Sequence, residues 1–260
     1  MNSVRLHYLS LEDGDPSQSS GNYLEDHRLQ QCMSELSADK RASLERLVDP
    51  RDRLVSLLAL RLLKSCVFDE GITDFHLQDI CYPEANKPYW SLSGNSTLNG
   101  ALDFNITHSA DLIMAAVSRD VKLGIDAERH RKLKRLNFKM VLTGAELALV
   151  EHTEAIFFDI WSKKEAVVKA ADTRGIARMR DVILDHGQRQ HDHQERRQSD
   201  EEIAELDGET WWIMQLDKVI PDQEKADQTS GERGDYSIHM ATSAKVDTLI
   251  VEKKTIDSLF

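Results

Sequence analysis

Phe158-Asp159-Ile160-Trp161-Ser162-Lys163-Lys164-Glu165-Ala166-Val167-Val168-Lys169 is the stretch on which the reading of this chain turns. It reads as part of a helix over Ala155 to Ala171, with Glu165 and Lys169 four residues apart. That spacing stacks two side chains on one side of a helix. Glu165 is then a candidate metal ligand and Lys169 a candidate phosphate ligand. The plainer alternative is a surface ion pair, a common and weak arrangement.

Working outward, the next segment is Val121-Lys122-Leu123-Gly124-Ile125-Asp126-Ala127-Glu128. Val121, Leu123 and Ile125 alternate with Lys122, Gly124 and Asp126, as on a strand with one buried face. Asp126 and Glu128 then share the opposite face. Carboxylates held side by side repel, and need a cation, a hydrogen-bond cluster or open solvent. Magnesium suits such a site, since it takes carboxylate oxygens and completes its shell with water and substrate phosphates. Solvent exposure is the competing reading.

Further upstream, Leu102-Asp103-Phe104-Asn105-Ile106-Thr107-His108-Ser109 precedes the apolar run Leu112 to Val117. The run reads as a buried strand. Thr107, His108 and Ser109 are expected just before it, as donors at a turn that can hold a phosphate. A local Ser/Thr turn with a satisfied histidine is the alternative.

In order and spacing, these three segments resemble the motifs of the 4'-phosphopantetheinyl transferase superfamily, in its two-lobed, surfactin-type branch. The family carries Phe-Asn-(Ile/Leu)-Ser-His-Ser, then Gly-(Ile/Val)-Asp-x-Glu, then Trp-(Ser/Thr/Cys)-x-Lys-Glu-x-x-x-Lys. Here they stand at Phe104 to Ser109, Gly124 to Glu128 and Trp161 to Lys169, with Thr107 in place of the usual serine. Lys87-Pro88 resembles the family's Gly-Lys-Pro segment, with Asn86 for the glycine, and Lys40 aligns with a basic residue that serves the 3'-phosphate of coenzyme A. A second expected arginine falls near Val55, with Arg51 and Arg53 close by. Tyr236 to Thr242 is similar to the closing strand of the second lobe.

The resemblance implies an α+β fold of two similar α/β lobes related by pseudo-two-fold symmetry, with the cofactor in the cleft between them. It divides the chain into an N-terminal lobe, 1–119, and a C-terminal lobe, 120–260, that carries the metal site and a polar insertion near 186–208. Antiparallel sheets fit the mixed order of helices and strands. The implied activity is transfer of 4'-phosphopantetheine from coenzyme A to a serine of an acyl or peptidyl carrier protein, releasing adenosine 3',5'-bisphosphate. The implied magnesium ligands are Asp126, Glu128 and Glu165. Lys40, Lys87, Thr107, His108 and Lys169 are the implied coenzyme A contacts, with Glu165 and Lys169 as the catalytic pair. Glu165 is the candidate acceptor of the serine proton, in competition with its role at the metal. Two other classes remain: a silent binder of coenzyme A, and a magnesium-dependent nucleotide pyrophosphohydrolase. The latter typically needs a denser glutamate cluster on one helix.

Composition is compatible with this. A chain of 260 residues, 40% hydrophobic and 30% charged, is globular and long enough for a sizeable core. The net charge of −12 argues against nucleic acid as a ligand. No apolar stretch approaches a membrane span, and Met1 to Ser10 lacks a basic start followed by an apolar run. Cys32, Cys66 and Cys81 have no metal-type spacing, so a reducing, cytoplasmic compartment is expected. A monomer is expected from the resemblance. The dense basic run Arg129-His130-Arg131-Lys132-Leu133-Lys134-Arg135 follows the Asp-x-Glu strand. It is either a dock for an acidic carrier protein or a solvated segment.

The remaining elements are expected as helices over Leu24 to Met33, from Asp39, from Asp49-Pro50 to Cys66, and over Asn137 to His152. Strands are expected over Asp181 to Asp185 and Thr210 to Leu216. Residues 11–22 and 221–234 read as loops. The polar stretch from Gly187 onward reads as a mobile insertion, whose His191 and His193, with His186, lack the fixed geometry of a metal tract.

Overall fold

The computed structural model describes residues 1–11, 27–84, 86–91, 102–133, 138–150, 154–185, 202–220 and 236–260. The loop expected over 11–22, the start of the first helix, Lys134 and Arg135, and His186, His191 and His193 lie wholly or largely outside these residues. The architecture is mixed α/β, divided into two compact units. The first comprises Met1–Val121 and Val246–Phe260, and the second Lys122–Lys245.

In the first unit a four-stranded sheet runs β11-β1-β5-β4, with β1 Ser3–Ser10, β4 Asp103–Ser109, β5 Leu112–Ser118 and β11 Thr248–Lys253. Every residue of β5 is buried, as its continuous apolar run predicts. Helices α1 (His27–Ser34) and α2 (Ala38–Glu45) precede the long α3 (Pro50–Asp69). Asp49 caps α3 by accepting from the Arg51 amide, and Pro50 occupies its first turn, where no amide is needed. The leucine-rich α3 packs on the sheet, with Leu57, Leu58, Leu62 and Leu63 in one core with Ile113, Ala115 and Val117. Strands β2 (Ile80–Cys81) and β3 (Tyr89–Trp90) form a small separate ribbon.

The division at 119/120 lacks the return of the chain's end, because β11 pairs with β1. That pair is parallel, an exception to the antiparallel sheets expected; the other strand pairs among the described residues are antiparallel. Neither strand was read from the sequence: β1 carries the polar His7 at a fully buried position, and β11, with no fully buried residue, lacks a clean apolar alternation.

In the second unit a five-stranded sheet runs β6-β10-β9-β8-β7. Its strands are β6 Leu123–Arg129, β7 Ile183–Leu184, β8 Glu202–Leu206, β9 Glu209–Gln215 and β10 Tyr236–Thr242. Helices α4 (Gly144–Val150), α5 (Glu154–Ala170) and α6 (Ile176–Met179) complete it. Phe157, Phe158, Val167 and Val168 of α5 join a core with Trp211 and Ile213 of β9. Trp211 is buried and its neighbour Trp212 half-buried, as alternation on a strand requires.

Three local readings change. The helix expected over Asn137 to His152 is a 3-10 turn at Phe138–Met140 and then α4. The break falls at Thr143, whose amide donates to Glu146 Oε2 at 2.7 Å while the Glu146 amide faces Thr143 Oγ1 at 3.4 Å. This reciprocal capping box starts a new helix. The polar insertion expected to extend to 208 gives way at Glu202 to β8, paired along its length with β9. Thr107, His108 and Ser109 stand on β4 itself rather than at a turn; the chain reverses after them, where Ala110 takes a φ of 49°.

Candidate active site

Strand β6 is buried on both faces over Leu123–Ala127, not on one. One face lies against α5, and the approach is so close that only a glycine fits. A Cβ on Gly124 would lie 2.1 Å from the Ala166 carbonyl oxygen and 2.4 Å from the Ala170 amide nitrogen. The next residue on that face is Asp126, only 3% exposed, and the one after it is Glu128. The helix brings Glu165 and Lys169 to the same place.

Lys169 Nζ donates to Asp126 Oδ1 at 2.7 Å and to the Ile125 carbonyl at 3.2 Å, and lies 3.2 Å from Glu165 Oε1. Trp161 Nε1 donates to the other Glu165 oxygen at 2.9 Å. Arg131 Nη1 holds Glu128 Oε2 at 2.8 Å, with its guanidinium over the Phe158 ring. Asp126, Glu128 and Glu165 each present an oxygen within 4.8 Å of the others'. Two cations thus face three carboxylates. Burial pushes the Asp126 carboxyl above its usual range, with Glu165 and Glu128 adding and Lys169 opposing. Burial alone would lower the Lys169 ammonium, but Asp126 and Glu165 raise it.

This donor set fits a hard divalent cation. Three carboxylates at one point suit magnesium, which needs few protein ligands and leaves the rest of its shell to water and phosphate. A cation also counters the burial, and with it the carboxylate repulsion, that raises Asp126.

Two polar groups beneath the site escaped the sequence reading. Lys164 is fully buried and donates to Glu146 Oε2 at 2.8 Å and to the Val141 carbonyl at 3.3 Å. The pair ties α5 to the capping box of α4. Thr143-Gly144-Ala145-Glu146 was the available signal, as a Thr-x-x-Glu pattern. On another face of α5, Ser162 Oγ lies 2.7 Å from His239 Nδ1, and His239 Nε2 lies 3.3 Å from Asp159 Oδ1. Ser162 and His239 are both fully buried, so this Ser-His-Asp series joins α5 to β10 and offers no nucleophile to a substrate.

The remaining sequence-predicted residues lie in the first unit. Thr107 is buried and His108 exposed, as neighbours on a strand alternate. Lys87 is buried, with Nζ 2.6 Å from the Asp103 carboxylate. Lys40 stands over the Tyr82 ring at 4.5 Å. Val55 is in the core, Arg51 is paired with Asp111, and Arg53 donates to the Leu47 carbonyl at 3.1 Å.

Residues 122–226 match the model of the 4'-phosphopantetheinyl transferase superfamily, a stretch that contains Asp126, Glu128, Glu165 and Lys169. The chain is 28% identical over 169 residues to the 4'-phosphopantetheinyl transferase HetI of Nostoc sp., covering 60% of this chain and 68% of that protein. It is 34% identical over 103 residues to the 4'-phosphopantetheinyl transferase AcpT of Salmonella typhimurium, covering 36% of this chain and 49% of that protein. The strand and the helix that build the site both lie within the stretch similar to the 4'-phosphopantetheinyl transferase superfamily, and that likeness, with these relatives, supports the enzyme class of a 4'-phosphopantetheinyl transferase.

Proposed function

We propose that this protein transfers 4'-phosphopantetheine from coenzyme A to a serine of an acyl or peptidyl carrier protein, in the manner of the two-lobed, surfactin-type branch. The observation that carries the reading is the convergence of Asp126, Glu128, Glu165 and Lys169 within one unit. Asp126, Glu128 and Glu165 hold the magnesium ion. Bound magnesium supplies charge neutralisation for the pyrophosphate and for the negative charge that develops on it.

The carrier's serine oxygen forms a bond to the β-phosphorus, and the bond from that phosphorus to the bridging oxygen breaks. Adenosine 3',5'-bisphosphate leaves with the bonding pair. Such a transfer needs positioning and charge more than covalent help. Lys169 supplies a compact positive charge for the pyrophosphate. Glu165 takes the serine proton, with its orientation set by the Trp161 indole and the Lys169 ammonium. Lys40, Lys87, Thr107 and His108 serve the coenzyme, an assignment supported by their places in the family motifs. The enzyme acts as a monomer in the cytoplasm; free thiols at Cys32, Cys66 and Cys81 fit a reducing compartment. No helix of the described residues is long and apolar enough to cross a membrane.

The basic run after β6 docks the acidic carrier. Arg131 also grips Glu128, so its reversal would disturb the metal site as well as the dock. Lys132→Glu with Arg135→Glu is the cleaner test: the apparent KM for carrier rises while that for coenzyme A holds. An unchanged carrier KM rejects the dock. The activity itself is tested by incubation with coenzyme A, magnesium and a panel of apo carrier proteins, read by intact carrier mass. A gain of one phosphopantetheine, lost with chelator, supports the proposal. Loss of coenzyme A without carrier modification identifies a pyrophosphohydrolase, and binding without either change identifies a silent binder.

A further inference from the structure

A second cluster of metal-ligating groups lies in the first unit. His7 of β1 stands directly opposite Glu252 of β11 in the parallel register, so their side chains share a face of the sheet. The last residue of α3, Asp69, reaches the same point. One atom of each of His7, Asp69 and Glu252 lies within 4.8 Å of the others.

His7 is fully buried, and among the described residues neither of its ring nitrogens makes a hydrogen bond. Its Nε2 nevertheless faces Asp69 Oδ2 at 3.4 Å and Glu252 Oε2 at 3.5 Å. These separations are long for hydrogen bonds. They match two ligands of one tetrahedral zinc ion: donors about 2.0–2.1 Å from the metal at the tetrahedral angle lie about 3.4 Å apart.

Lys254 provides the competing cation. Its ammonium donates to Asp69 Oδ2, the oxygen that faces His7, at 2.9 Å and to Glu252 Oε1 at 2.6 Å, so it neutralises the same two carboxylates. A lysine that balances the carboxylates explains their proximity to each other. It leaves unexplained a buried imidazole aimed at them without a hydrogen bond.

We propose that His7, Asp69 and Glu252 form a second, transition-metal site, selective for zinc-like ions over magnesium by its imidazole, with Lys254 as a built-in competitor for the carboxylates. The ion clips the end of α3 to the β1/β11 pair, through which the chain's last segment joins the first unit.

The test uses the full chain, stripped with chelator and titrated with Co2+ as a spectroscopic stand-in for zinc. Visible absorbance reports a tetrahedral, imidazole-containing site, and thermal unfolding reports its coupling to stability. The expected result is one saturable equivalent with intense visible bands and a raised Tm. Both are retained in Asp126→Ala, and Zn2+ displaces the cobalt. Glu252→Gln, at a half-exposed position, abolishes the bands, and Lys254→Gln tightens binding about tenfold or more by removing the competing charge. Saturable binding absent from both wild type and Lys254→Gln overturns the proposal. So does binding that Glu252→Gln leaves unchanged, which would put the metal elsewhere, or binding that Asp126→Ala removes.

Discussion

Lys169 Nζ lies 2.7 Å from Asp126 Oδ1, so the residue assigned to the phosphate is also the counter-ion of a buried candidate metal ligand. It is 43 residues away in sequence. On the proposed role, removing it strips charge from the pyrophosphate, and it leaves Asp126 with its carboxylate neighbours. Lys169→Ala should weaken coenzyme A binding by about tenfold or more, about 1.4 kcal/mol or above. The same variant should gain more thermal stability from added magnesium than the wild type does. Calorimetry with coenzyme A and Tm with and without magnesium check the two halves, and an unchanged affinity counts against the phosphate role.

Asp126→Ala removes the most buried of the three carboxylates. Magnesium-dependent transfer should fall by on the order of 100-fold or more, since even outer partners of metal ligands cost 10- to 100-fold. Folding should survive, because Lys169 keeps Glu165 as a counter-ion at 3.2 Å and is itself partly exposed, so no buried charge is left alone. Turnover near wild type with intact circular dichroism would refute the metal assignment.

Gly124→Ala tests the contact between strand and helix. The added Cβ meets backbone atoms of Ala166 and Ala170, which have no rotamer to move aside. Overpacking of this kind costs about 1–3 kcal/mol or more. Helix α5 must shift, and Glu165 and Lys169 shift with it relative to Asp126. Urea unfolding should show the loss of stability, and residual activity should fall further than the folded fraction does. A variant equal to wild type in both would contradict the packing.

Lys164→Met should be among the costliest substitutions, at about 3–5 kcal/mol, because it leaves Glu146 buried without its cation. Adding Glu146→Gln should recover a good part of that loss. A double-mutant cycle by chemical denaturation measures the coupling, and additive effects would show that the pair does not act as a unit.

Asp159 carries the pH prediction. Although burial opposes it, His239 and Lys163 bring its carboxyl down to about 2 from 3.8. A carboxyl depressed in the folded state contributes stability above pH 4, and that contribution is lost as pH falls toward 2. With the side chain 36% exposed, solvent screening reduces the contribution to about 1 kcal/mol. Asp159→Asn should be less stable at pH 5 and should lose less than wild type between pH 5 and pH 3. Parallel urea curves at the two pH values decide it.

The helix from Pro50, the strand over Leu112–Ser118 and the helix around Trp161 were legible because their signals are local: a cap with proline, an unbroken apolar run, a spacing of four. The break before α4 was less visible, since it depends on two side chains answering each other across one turn. Strands β1 and β11 were not read at all, because partners at opposite ends of the chain create their pairing.

By itself the sequence determined which side chains could meet along one element: Asp126 with Glu128 on a strand, and Glu165 with Lys169 on a helix. Backbone geometry sets those neighbours. Only the tertiary structure decided which elements face each other. It turned Lys169 onto Asp126, placed Lys164 on Glu146, left Gly124 no room for a side chain, and brought His7 between Asp69 and Glu252. These contacts join residues far apart in the chain, and they exist because burying α3 and α5 on their sheets forces the polar groups beside them to find partners or bear the cost of desolvation.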